Sequence, residues 1–317
     1  MKNKALVAAA LLVAAFVGCT KATDEMVRNT VSFTIEPYNV IEENEGQPRT
    51  RTTIVDGSNA FLWAKDDTVG IYPDSGSQVY FNLDIGADAS TAVFDGGGWD
   101  FKASAVYYSY YPFIGDIYLK RDHVPVSYVG QKQTGTGYSH IGGTAYSHIG
   151  PFDYMCTPGT PAENGSINFS YRHLGCIIRL RLVLPAGTYT KLAITAPEDA
   201  FTTKGYFDLT SSPAAIIPTA HSNQLAIDLE GIATTGASSE VVVYVMSAPV
   251  DLMGKEITIS VLNSERKEYQ CKKTPSYVFK AGDLCKYACT SFTEVPQSMG
   301  LIIDDWGDGG DIGGDAD

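Results

Sequence analysis

Val31, Phe33 and Ile35 alternate with Ser32, Thr34 and Glu36, and short runs of this kind recur along the chain between turn-forming clusters such as Asp95, Gly96, Gly97 and Gly98. Successive side chains of an extended strand point to opposite faces, so a period of two marks a strand with one face buried. Strand runs span 61–63, 68–73, 79–83, 92–94 and 103–112 in the first half. In the second half they span 166–170, 176–184, 191–195, 204–209, 224–229, 257–262, 267–271 and 285–292. Residues 241–246 are almost continuously apolar, as in a strand covered on both faces. No long amphipathic helical pattern interrupts the series. The 19 Tyr, 31 Gly and 15 Pro add to the same preference for strands and turns. Strands at this spacing predict an all-β chain built of sandwiches or barrels.

The 317 residues are enough for two domains of ordinary size. Residues 41–53 carry Glu42, Glu43, Glu45, Gly46, Pro48, Arg49 and Arg51 with few apolar partners, the composition of an exposed loop. Residues 130–150 are glycine-rich and repeat one pentapeptide, from Tyr138 to Gly142 and again from Tyr146 to Gly150. Pro158, Gly159, Pro161, Asn164 and Gly165 mark 157–165 as a linker. A boundary is therefore expected near 165, with one β-domain over 30–165, a second over 166–296, and a C-terminal segment over 297–317.

The first residues speak to compartment. Lys2 and Lys4 precede an apolar run over 5–17 that ends in Gly18 and Cys19. Thirteen residues reach roughly 20 Å as a helix, short of the ~30 Å hydrocarbon core, so 1–18 read as a secretory leader rather than a membrane span. The small residue before Cys19 resembles the lipobox of bacterial lipoproteins, with Phe16 where leucine is usual. That resemblance implies a lipid on Cys19, anchorage in the outer membrane, and a polar tether over 19–29. Ordinary cleavage near Gly18, with Cys19 a spare thiol, is the other reading.

Charge and chemistry narrow the function. The formal charge of -13 excludes nucleic acid as an expected partner. Beyond Cys19 there are five cysteines, Cys156, Cys176, Cys271, Cys285 and Cys289, an odd number whose pairing spacing alone does not fix. Cys285 and Cys289 would lie about 13 Å apart on one strand face, too far to bridge. No cysteine or histidine spacing suits zinc, and no nucleophile elbow, metalloprotease helix or phosphate loop is present. His140 and His148 lack acidic neighbours and read as parts of a duplicated loop. His173, among Phe169, Tyr171 and Leu174, reads as a packed, hydrogen-bonded histidine, and Asp66 with Asp67 as a turn. The tail over 304–317 holds six aspartates and five glycines but no glutamate, so it does not match an EF-hand loop. No catalytic, cofactor or metal site is expected, and the chain does not read as an enzyme.

Several landmarks in order resemble the fimbrillin family and its fimbrillin-like lipoproteins. They are Trp63, Asp66, Asp67, Gly70 and Tyr72 within 63–72, and Tyr107, Tyr108, Tyr110, Tyr111, Pro112 and Phe113 within 107–113. Asp153, Tyr154, Met155 and Cys156 follow, then Ile167, Phe169, Tyr171, His173 and Leu174 running on to Leu182. Tyr277, Phe279 and Gly282 complete the set. The resemblance implies two transthyretin-like β-sandwich domains in tandem and a place in a surface pilus.

It also implies an assembly route. In similar pilins an arginine-specific protease cuts a loop after the first strand, which frees the subunit from its lipid and vacates a groove. Here Arg49 and Arg51 are the expected cleavage sites, and Val31, Phe33 and Ile35 the expected displaced strand. Another fimbrial subunit would fill the groove by strand addition, and Met299, Leu301 and Ile303 have the matching period for a donor strand. Pairing of 298–306 within its own chain is the competing reading. Stalk, tip and anchor positions all stay open. So does a monomeric surface lipoprotein that binds a glycan or a host receptor, with tyrosines near 107–111 as its platform.

Overall fold

The computed structural model describes residues 30–42, 62–95 apart from 66, 74, 87 and 88, 101–135 apart from 117, and 148–296 apart from 164, 237 and 238. The described residues form strands, one 3-10 turn at Gly150–Phe152, and no α-helix, as the period-two runs predict. The first half supplies β1 (Thr30–Ile35), β2 (Asn39–Glu42), β3 (Asp67–Tyr72), β4 (Val79–Leu83), β5 (Thr91–Asp95), β6 (Val106–Tyr111), β7 (Val124–Ser127), β8 (Gln131–Thr134), β9 (Met155–Cys156) and β10 (Thr160–Pro161). The second half supplies β11 (Ile167–His173), β12 (Cys176–Leu184), β13 (Gly187–Thr195), β14 (Phe201–Phe207), β15 (Ile216–Ser222), β16 (Gln224–Thr234) and β17 (Ser239–Ser247). It ends with β18 (Ile257–Asn263), β19 (Glu268–Lys273), β20 (Asp283–Cys289) and β21 (Thr293–Val295).

One sheet runs in the order β4-β3-β6-β9-β11-β1-β5, with β10 paired to β6. Val31, Phe33, Val69, Leu83, Phe169 and Tyr171 from its strands gather with Trp63 and Phe101 into one buried cluster. Within it, β3 and β6 pair Gly70 with Tyr110. A Cβ on Gly70 would fall 2.1 Å from the Tyr110 ring. Glycine therefore lets the ring lie flat across the neighbouring strand.

Two further sheets, β17-β12-β20-β2 and β21-β19-β18-β13-β16-β8, share a second cluster. Leu180, Val243 and Cys285 meet Leu192, Ile194 and Ile259 there, in a sandwich-like arrangement. A three-stranded sheet, β15-β14-β7, completes the fold. Residues 241–247 of β17 are buried on both faces, as their apolar run predicts. Although β17 ends its sheet, its outer edge is covered. Gln131 Nε2 donates to Met246 O at 2.8 Å and Met246 N donates back to Gln131 Oε1 at 2.7 Å. Gln133 repeats the pattern with Val242 O at 2.8 Å and Tyr244 N at 2.9 Å. Two buried side-chain amides thus stand in for a neighbouring strand.

Pairing does not follow the boundary expected near 165. β11 lies beyond it yet pairs with β1, while β2 and β8 precede it yet pair with β20 and β16. The expected linker over 157–165 also contains β10, hydrogen-bonded to β6. Backbone polar groups buried beside a sheet need partners wherever they lie in sequence, and a proline-rich composition does not show which sheet edge will supply them.

Candidate functional site

The N-terminal segment, residues 30–42, is where the expected displaced strand lies. Val31, Phe33 and Ile35 point into the core from β1 and are 0%, 0% and 4% exposed. β1 is an inner strand. It runs parallel to β11, from Val31 against Ile167 to Ile35 against Tyr171, and antiparallel to β5, from Thr30 against Asp95 to Thr34 against Thr91. The Phe33 ring lies 4.9 Å from Phe81, 5.7 Å from Phe169, 6.0 Å from Phe94 and 6.4 Å from Tyr171. The Trp63 indole N–H donates to Phe33 O at 3.0 Å, and the Ser32 hydroxyl donates to Asn168 Oδ1 at 2.8 Å. Burying the three apolar side chains stabilises this seat by roughly 5–8 kcal/mol before ordering costs.

After Ile35 the chain crosses to the second cluster through a polar clamp. Glu36 N donates to Tyr171 O at 2.9 Å. His173 Nε2 bonds Glu36 O at 2.8 Å, and His173 Nδ1 bonds Asp153 Oδ1 at 2.9 Å. The Tyr38 hydroxyl donates to the same Asp153 oxygen at 2.7 Å, and its ring stacks on His173 at 3.7 Å. Both ring nitrogens therefore lie within hydrogen-bonding distance of an oxygen, one of a side-chain carboxyl and one of the backbone. Burial first, and the Asp153 carboxylate second, push the Tyr38 hydroxyl well above the ordinary tyrosine range. All three side chains are buried, which is the packed role expected of His173. β2 then adds itself to the edge of the second sheet, from Asn39 against Asp283 to Glu42 against Lys286.

The remaining site residues expected from the sequence, Cys19, Arg49, Arg51, Met299, Leu301 and Ile303, lie outside the described residues. So do the first copy of the duplicated loop, with His140, and the acidic tail. His148 from the second copy has its Nε2 3.0 Å from Tyr244 O. The last described strand, β21, pairs with β19 at the edge of the six-stranded sheet, from Glu268 against Val295 to Gln270 against Thr293.

The tyrosine platform expected near 107–111 is not on the surface. Tyr107, Tyr110 and Tyr111 are buried and Tyr108 is half-buried, because both faces of β6 are covered by the two clusters. Exposed aromatic surface occurs instead at Tyr80 and at Tyr118, which is 84% exposed. Tyr118 borders an open cleft with Tyr72, Lys120, Arg121, Asp122 and Thr210. The Arg121 guanidinium lies 5.3 Å from the centre of the Tyr108 ring there. Among the described residues no group of three or more His, Cys, Asp or Glu is placed to hold a metal.

No family model matches the chain, and no curated protein matches it. Solved structures similar to it include a protein assigned to cell adhesion from Bacteroides ovatus, 13% identical, covering 85% of this chain and 96% of its own, with a TM-score of 0.45. A second adhesion-assigned protein, from Bacteroides uniformis, is 13% identical over 76% of this chain and 96% of its own, with a TM-score of 0.46. The fimbrial anchor protein Mfa2 from Porphyromonas gingivalis is 11% identical over 84% of this chain and 95% of its own, with a TM-score of 0.32. These neighbours are adhesion and fimbrial proteins.

Sequence reasoning located β1 but missed the clamp and β2. The only local signal for β2 was the pair Val40 and Ile41 just ahead of the acidic loop, and its partner strand lies more than two hundred residues away.

Proposed function

We propose that this protein is a subunit of a surface fimbrium, exported as a lipoprotein through Cys19 and assembled by proteolysis and strand exchange. The observation that carries the reading is the position of residues 30–42. They contribute one inner strand and one edge strand, yet they continue into the rest of the fold only through 43–61, the stretch that holds Arg49 and Arg51. Cleavage after either arginine turns β1 and β2 into a separate peptide held by packing and hydrogen bonds. Its departure exposes the backbone of β5 and β11 on either side of an apolar trough, two edges that call for a replacement strand. A neighbouring subunit supplies it through Met299, Leu301 and Ile303, whose period matches Val31, Phe33 and Ile35.

The test is mass spectrometry of the protein from outer membranes and from sheared surface filaments, comparing the wild type with Arg49→Ala/Arg51→Ala. Filament chains that begin at Thr50 or Thr52, with the variant retained as acylated Cys19 protein, support the reading. If every copy keeps acylated Cys19, cleavage is excluded. An uncut anchor subunit is then left, or a monomeric lipoprotein binding a glycan or host ligand, for which the cleft beside Tyr118 offers an aromatic and charged surface.

A further inference from the structure

The cysteines of the second cluster are not equivalent. β20 belongs to one of the two sheets that share it and β19 to the other. After Cys289 the chain leaves β20, crosses between the sheets in three residues, and joins β19 as β21. Extending the β19–β21 register by one residue sets Cys271 beside Phe292, the last residue of the crossing. Cys271 and Cys289 both pack into the cluster between these sheets, and hydrogen bonding by the Cys289 thiol is the largest influence on the acidity of the Cys271 thiol. Both cysteines are buried, at 6% and 0% exposure.

We propose that Cys271 and Cys289 close into an intramolecular disulfide that staples the two sheets at the root of the C-terminal segment. No other pairing among the described cysteines has this contact. Cys285 is opposite Ile178 on the adjacent strand, which places Cys176 on the diagonal. Diagonal neighbours lie about 7–8 Å apart, at or beyond the limit for a disulfide. Cys156 packs into the same cluster but from β9, which pairs with β6 and β11 rather than with β19 or β20. Reactivity agrees with geometry. The bond to Cys289, with help from Lys273, draws the Cys271 thiol down to about 7. Burial pushes Cys156 up to about 12 and raises Cys176 and Cys285 as well. Cys271 is accordingly the attacking thiolate.

The oxidant is a disulfide, either a small molecule or a dithiol oxidase of the exporting compartment. The Cys271 thiolate attacks one of its sulfurs and expels the other as a thiolate, leaving a mixed disulfide. Cys289 gives up its proton, attacks the Cys271 sulfur and expels the second thiolate. Two thiols lose two protons and two electrons, and the oxidant's disulfide takes up both electrons. Because both sulfurs are buried, the exchange takes place while β21 is lifted away, with β19 and β20 still holding the two thiols together.

The proposal relies on export only for its oxidant, and the test provides one, so the staple and the fimbrial reading fail separately. The full chain is refolded with oxidised and reduced glutathione, its remaining thiols are alkylated, and the digest is mapped by mass spectrometry without reduction. The expected product is a peptide containing Cys271 linked to one containing Cys289, lighter by about 2 Da than the two thiol peptides. The linked pair disappears in Cys271→Ala and persists in Cys176→Ala/Cys285→Ala. Alkylation of Cys271 and Cys289 in the refolded wild type, or a link through another cysteine, overturns the proposal. The wild-type map decides between these outcomes even if a variant fails to fold.

Discussion

Phe33 is the residue on which the hold of the N-terminal segment turns. Its ring touches aromatic side chains from β4, β5 and β11, and its carbonyl accepts the bond from Trp63. Truncating a buried phenylalanine forfeits its transfer energy and leaves a cavity that its neighbours fill only in part. Phe33→Ala in the uncut chain is expected to destabilise the fold by about 3–5 kcal/mol, read as a lower denaturant midpoint with an unchanged slope. A loss below about 1 kcal/mol would show that β1 contributes little to the uncut protein. Phe33 was legible in the sequence because period-two alternation puts it on one face with Val31 and Ile35. The clamp of Tyr38, Asp153 and His173 was not, since its three members lie far apart in the chain and meet only when the connector crosses between clusters.

At the scale of strands, the edge of β17 shows how a glycine-rich stretch contributes to the fold. The sequence marks β17 by its continuous apolar run, but Gln131 and Gln133 carry no pattern that distinguishes an edge-capping amide from an exposed loop glutamine. Their role follows from the parallel pairing of β8 with β16, which turns both side chains toward β17. Replacing either glutamine by leucine leaves two backbone groups of β17 without their partners, at an expected cost of about 1–3 kcal/mol each. Amide hydrogen exchange is the check: Met246 should lose protection in Gln131→Leu, and Tyr244 in Gln133→Leu. Equal protection in variants and wild type would assign the edge to some other cover. The same limit explains the aromatic strand β6. Alternation reveals which side chains share a face, whereas whether both faces are covered depends on what packs above and below.

For the whole molecule, the abundance of tyrosine sets a response to alkali. Tyr38, Tyr111 and Tyr128 are buried, and burial is the main cause that holds each hydroxyl well above its ordinary range, while Tyr110 is pushed up to about 12. In the unfolded chain these groups ionise near pH 10, whereas in the fold they keep their protons. Above that point the unfolded state binds fewer protons than the native state, so stability falls as pH rises. The stabilisation is fully present below about pH 10 and is lost progressively above it. Denaturation midpoints measured across that range should fall, and only part of the tyrosinate absorbance, that of exposed rings such as Tyr80 and Tyr118, should appear before unfolding, the rest rising with it. Full tyrosinate absorbance from a still-folded chain would mean that the buried rings are open to solvent.

The setting of β1 also has a mechanical side. Five register pairs join it to β11 and five to β5, and their hydrogen bonds lie across the strand rather than along it. Tension applied at Thr30 along the strand axis is therefore shared by both rows at once, as shear, instead of opening them one pair at a time as a zipper opens. A chain pulled from its N-terminal side would resist by the strength of the whole seat. A single cut beyond β2 would separate that load-bearing strand from the covalent chain.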